Sequence, residues 1–312
     1  MSDTNSAHST TDLDTMLNKI AQGLSYNHRS PVLHNPGEAG LAWEDVSFPS
    51  ADGTPLEAWF MPRAGSDKLI ICAHPFSFSR AGFPSHLEPW KSAWGPGNDF
   101  EISFIPDYKI LHDHGYNVLA YDFRNYGHSG AANGGLTSNN RFELRDVVGS
   151  LAYVRSNADL AHMTLGLFAR CMGANATFRA FATDPTQFVG VRCLVAPLLL
   201  SARVALERQL ENAGLAEHAD EADRRQYNIT GTLLAEASPV DWAPSVMVPT
   251  LTYGVRADAV TRPSDLEAIF EAIGTDHKSL FWIENTTRRW DGYMWFQRHP
   301  ERILAWFEKY MN

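Results

Sequence analysis

The chain has 312 residues, 44% hydrophobic and 20% charged, which suits one large domain with an insertion, or at most two small domains, and argues against global disorder. A net charge of −10, with no basic run longer than Arg288-Arg289 near the candidate site, argues against nucleic acid and anionic membranes as partners. Three cysteines (Cys72, Cys171, Cys193) make no disulfide framework, MSDTNSAHSTTDLD is no signal peptide, and no apolar run is long enough to span a bilayer, so a cytoplasmic protein is expected.

In chain order, residues 1–12 read as a polar tail. Leu13, Met16, Leu17, Ile20 and Leu24 then fall at helical spacing, an amphipathic helix for the body or for a partner. Residues 1–30 are taken as this tail and helix, and 31–312 as the main domain. Trp43 to Pro49 and Pro55 to Met61 flank Asp52-Gly53 as a hairpin. Short apolar runs follow at 69–73, 117–121, 163–168, 191–198, 250–253 and 279–283, with a helix over 141–156 and a final one over 300–310. Strands separated by helices imply a doubly wound, mostly parallel sheet, an α/β fold. The charged stretch at about 201–246 interrupts the alternation and reads as a helical cap insertion. A long connection from Phe76 to Tyr108 carries Phe76, Phe78, Phe83, Trp90, Trp94, Phe100 and Phe104, which suit an apolar pocket wall.

The chemistry concentrates at Ala169-Arg170-Cys171-Met172-Gly173. Small residues two positions either side of a nucleophile permit the tight strand-to-helix turn of a nucleophile elbow, and the following helix N-terminus favours a thiolate. His74-Pro75-Phe76 after a strand, the turn from Asp122 to Gly130, and Tyr253 to Asp258 complete the set. In order and spacing, these segments resemble those of the α/β-hydrolase superfamily from about Trp43 to the C-terminus. The resemblance implies Cys171 as nucleophile and Asp258 as the acid. It assigns the oxyanion hole to the N–H groups of Phe76 and Met172, and Pro75 stands where the family has glycine.

The histidine of that family is missing from the loop after the last strand, where Arg288 takes its position. Arginine stays protonated and cannot act as a general base. His74, His86, His128, His218, His277 and His299 do not fit the position, though His218 or His86 swinging in from an insertion stays open. His74, Phe78, Trp290 and Tyr293 are expected to line the substrate pocket.

The expected activity is attack on an ester, thioester or lactone carbonyl of a small, hydrophobic or aromatic substrate, with hydrolysis, acyl transfer or cyclisation following. The alternative is a non-hydrolytic ligand-binding or regulatory protein, or an enzyme of another reaction class, on the same frame. No cofactor and no metal are expected, for there is neither HExxH nor GxGxxG. A homo-oligomer stays open.

Overall fold

The computed structural model describes residues 10–26, 28–94 and 98–312. Residues 1–9 of the expected tail and the side chain of Trp94 lie outside the described residues.

Eight strands form one sheet: β1 (Glu44–Pro49), β2 (Pro55–Met61), β3 (Lys68–Ala73), β4 (Asn117–Tyr121), β5 (Thr164–Ala169), β6 (Val191–Val195), β7 (Thr250–Val255) and β8 (Lys278–Ile283). Their order is β1-β2-β4-β3-β5-β6-β7-β8. The first two strands form the hairpin expected around Asp52-Gly53, with Val46 opposite Ala58. The pair β2/β4 is also antiparallel, and every later pairing is parallel. Parallel strands covered on both faces need apolar side chains on both, which is why the runs read as continuous rather than alternating. Ile71, Leu167 and Leu194 enter one core while Ile70, Phe168 and Val195 enter the other.

Helices cover the two faces: α2 (Ile105–Asp113), α3 (Glu143–Ser156), α4 (Met172–Thr183), α7 (Pro263–Ala272) and α8 (Glu301–Met311). Between β6 and β7 the cap carries α5 (Ala202–Asn212) and α6 (Ala219–Thr230). Helix α1 (Thr10–Ser25) takes in Thr10 to Asp12, which were expected as tail, and it docks on the cap. Leu17 on α1 joins Leu206, Leu210, Leu215, Ala222 and Leu234 in a third apolar cluster, separate from the two beside the sheet. Arg225 on α6 bonds Asp14 and Asn18 of α1, fixing the docking angle with polar contacts. The chain then runs across the turn after β4, where Arg29 donates to the carbonyls of Tyr126, Gly127 and Ser129.

The connection from Phe76 folds largely on itself. A two-residue ribbon (Gly82–Phe83 with Ile102–Ser103) ties its ends, and Phe78 stacks on Phe83 and Phe104 at centroid distances of 4.6 and 5.6 Å. These aromatics form core, at a site where the sequence suggested a pocket wall. No helix among the described residues is long and apolar enough to cross a membrane.

Candidate active site

Strand β5 ends at Ala169 and α4 begins at Met172, leaving two residues for the reversal. Cys171 makes it with φ 51° and ψ −114°, a left-handed conformation that a non-glycine residue holds only under constraint. Its N–H donates to Pro197 at 2.9 Å and its carbonyl accepts from Asn175 at 2.9 Å, so both backbone groups are tied. Gly173 is required by close approach: a Cβ there would lie 2.9 Å from both the Ala73 Cβ and the His74 carbonyl oxygen. This is the elbow that the sequence predicts. Cys72 and Cys193 lie deep in the sheet, where burial pushes both thiols up to about 12 and leaves them unreactive.

The N–H groups of Phe76 and of Met172, which follows Cys171 directly, are not taken up by another backbone carbonyl among the described residues. The Phe76 ring lies 6.4 Å from that of Tyr126, whose hydroxyl donates to the Met172 sulfur at 3.4 Å.

His74 is buried and committed at both nitrogens. Nε2 accepts the Phe123 N–H at 3.0 Å, which leaves Nδ1 to donate to the Pro75 carbonyl at 2.7 Å. Burial lowers its pKa to about 4 against the pull of Asp122, so it is a neutral strut between the β3 and β4 turns. The Asp122 turn is likewise structural. Asp122 accepts from the N–H groups of Arg80 and His128, and Arg124 is clamped by Asp146, Asp52 and Ser50.

The loop after β8 departs from the expected alignment by one residue. Arg288 is half exposed and turned outward, with Nε 3.1 Å from Asp291 and its guanidinium 5.6 Å above the Phe100 ring. Arg289 is the buried one, and it meets Asp258 at 2.5 Å through Nη1. Its Nη2 donates to the Leu198 carbonyl and its Nε donates to the Tyr293 hydroxyl at 3.1 Å. Leu198 sits at φ 60°, and the neighbouring Pro197 carbonyl holds Cys171 N–H, so one segment braces Cys171 and the guanidinium together. Asp258 Oδ1 accepts from Val260 N–H at 2.9 Å, leaving Oδ2 for Arg289. The Tyr293 hydroxyl completes the group, lying close enough to Cys171 for charge on the sulfur to bear on it.

Of the side chains expected to line a pocket, Phe78 and Trp290 are core, with Trp290 Nε1 donating to Ser85 at 3.0 Å. Tyr293 is buried and bonded by Arg289. Other histidines serve elsewhere: His34 bridges Glu38 and Glu101, His128 faces Arg80, and His218 lies between Glu217 and Glu221. His86 lies 4.0 Å from Glu101. Cys171 is 8% exposed, and a groove of about 470 Å³ between Arg63, His114 and Glu308 lies at the opposite end of the strands. Among the described residues no group of three or more His, Cys, Asp or Glu side chains is arranged to hold a metal ion.

The sequence reading missed Arg289, Leu198 and the facing role of Tyr293. Arg289 had one available signal, since Arg289 and Tyr293 are four apart and share a helix face. It also missed the fully buried Arg170–Asp107 pair beneath the elbow, which meets at 2.5 Å.

No family model and no curated protein matches the chain by sequence. Solved structures do match. The Pyrococcus furiosus esterase Pf2001 superposes with a TM-score of 0.67 at 18% identity, over 93% of this chain and 99% of that one. A dienelactone hydrolase from Anabaena variabilis gives 0.54 at 16% identity, over 87% and 99%. The α/β hydrolase GrgF from a Penicillium species gives 0.57 at 16% identity, again over 87% and 99%. Identities this low speak to architecture alone. With its strand order, its elbow and these superpositions, the chain has the α/β-hydrolase fold.

Proposed function

We propose that the protein is an acyl hydrolase or acyl transferase that attacks an ester, thioester or lactone carbonyl through Cys171. The observation that carries this reading is the strained elbow. Backbone strain at φ 51° is retained at Cys171, and the sulfur stands at the N-terminus of a twelve-residue helix beside two uncommitted N–H groups. A thiolate adding to a carbonyl would place the oxyanion between the N–H groups of Phe76 and Met172, and collapse would leave an acyl-thioenzyme. Removing one such donor typically costs about 3 kcal/mol of transition-state stabilisation.

Asp258 and Arg289 take the acid and base positions, with Arg289 in the role first assigned to Arg288. Arg289 is a permanent cation, so it stabilises negative charge and removes no proton. The esterases and dienelactone hydrolase that share the fold support ester-type substrates. The aromatic surroundings of Tyr293 support an apolar or aromatic acyl group. A second reading, a non-hydrolytic binding protein, is favoured by the burial of Cys171 and by the missing imidazole.

Release of p-nitrophenol and of free thiol from acyl esters and acyl thioesters, with and without an added alcohol, tests the proposal. Turnover that Cys171→Ala abolishes supports it, and the ratio of acid to new ester separates hydrolysis from transfer. Turnover that survives Cys171→Ala contradicts it.

A further inference from the structure

A site that forms an acyl-thioester needs a group to protonate the leaving alcohol and then to deprotonate the acceptor. The tied nitrogens of His74 exclude it, and Arg289 cannot release a proton. One titratable hydroxyl remains, held by the guanidinium at 3.1 Å and near enough to Cys171 for charge on the sulfur to bear on it. Resting on the acyl-transfer reading above, we propose that Tyr293 is the catalytic acid–base of the site, and that Arg289, held by Asp258 and the Leu198 carbonyl, positions it and balances its charge.

The hydrogen bonds set the direction of proton flow. Arg289 Nε–H donates to the Tyr293 oxygen at 3.1 Å, so the phenolic proton is directed away from the guanidinium. Cys171 is the other titratable group close enough to bear on this hydroxyl. Both side chains are buried, and Tyr293 is fixed from behind by Phe78 and Trp290 at centroid distances of 4.9 and 5.7 Å.

The steps balance. The Cys171 thiolate attacks the acyl carbon, and the tetrahedral oxyanion collapses to a thioester. The bond to the leaving oxygen breaks, and that oxygen takes the Tyr293 proton and departs as alcohol. The negative charge that began on sulfur now lies on the Tyr293 oxygen, beside the same guanidinium. In the second half, tyrosinate takes a proton from water or an acceptor alcohol as that oxygen adds to the thioester. Collapse then expels the thiolate and restores the Tyr293 hydroxyl.

Cys171 and Tyr293 thus share one negative charge in alternation, and Arg289 faces it in both halves. The direction of the Tyr293 pKa agrees with this order. Burial raises it most, Arg289 pulls it down and Cys171 pushes it up. The resting hydroxyl is therefore protonated, and acylation of the sulfur removes one of the two raising causes. Arg289 and Cys171 are the charged or titratable groups that bear on this hydroxyl, with Asp258 behind the arginine.

The test compares wild type with Tyr293→Phe on phenylacetyl esters of p-nitrophenol, trifluoroethanol and ethanol. A general acid matters most for the poorest leaving group. Tyr293→Phe is expected to lose on the order of 10²–10⁴-fold on the ethyl ester and less than about tenfold in p-nitrophenol release. Equal losses across the three esters overturn the role of Tyr293, because a merely structural tyrosine does not discriminate between leaving groups. Should Tyr293→Phe fail to fold, 3-fluorotyrosine installed at this one position replaces it. The high-pH limb of the rate profile then moves to lower pH, and an unmoved limb overturns the proposal. Absence of any acyl adduct on the wild type is a different failure, for it removes the acyl-transfer reading itself.

Discussion

Arg288 and Arg289 are neighbours in the chain and opposites in environment. One guanidinium is half exposed and pairs with Asp291; the other is buried against Asp258. Removing the partner of a buried charge leaves that charge uncompensated, so Arg289→Met should cost about 3–5 kcal/mol of stability. Arg288→Met breaks a surface pair and should cost at most about 1 kcal/mol. Denaturant midpoints of the two variants read this directly, and equal losses would return Arg288 to the site. His74 gives a pH signature. Its folded pKa of about 4 lies below its ordinary 6.5, so the unfolded chain takes the proton first as pH falls. Its contribution is complete above about pH 6.5 and is lost between there and about pH 4. Relative to His74→Gln, which carries no imidazole, wild type should lose about 3 kcal/mol across that window. A difference that does not vary with pH would mean that His74 titrates in the fold as it does in the unfolded chain. At this scale the sequence was legible where spacing alone defines a residue, as at Cys171, Gly173 and Asp258. It was not legible in Thr286 to Arg289, because two adjacent arginines fit the same loop and only the contact with Asp258 separates them.

Helix α1 and the cap depend on one another. Leu17 is fully buried, yet its neighbours are Leu206, Leu210 and Leu215 of the cap, not residues of the sheet. Leu17→Ala should cost about 2–5 kcal/mol locally. Because this cluster is separate from the two main cores, the loss should show as faster amide exchange in α1, α5 and α6 with β3 to β6 still protected. Faster exchange throughout the sheet would mean that cap and sheet unfold as one unit. The amphipathic spacing of α1 predicted a docked helix but not its partner, since a 3.6-residue period specifies a face and says nothing of what covers it. The aromatic connection misled for the converse reason. Its rings are as apolar as a pocket wall requires, and they are spent on one another, with Phe78, Phe83 and Phe104 stacked. Composition does not distinguish a wall from a core.

Across the whole molecule, the alternation of strands and helices made the sheet and its parallel character legible, because continuous apolar runs need cover on both faces. The order β1-β2-β4-β3-β5-β6-β7-β8 was not in those runs, since it depends on which crossovers pack where. The frame places every chemical group of the site at the C-terminal end of β3, β5, β7 and β8. The elbow follows β5, the Phe76 turn follows β3, Asp258 follows β7 and Arg289 follows β8. Open α/β sheets gather their ligand sites at this end. Substitutions in the groove near Arg63 and Glu308, at the other end, should leave catalysis unchanged. The central claim is that an acyl group passes through the Cys171 sulfur, and trapping it is the most direct test. The protein is mixed with p-nitrophenyl esters and acyl thioesters of graded chain length, quenched in acid, and read by intact mass and peptide mapping. The account predicts one added acyl mass, on the peptide containing Cys171, absent from Cys171→Ala. No adduct at any chain length, with Cys171 still alkylated by iodoacetamide, would contradict it.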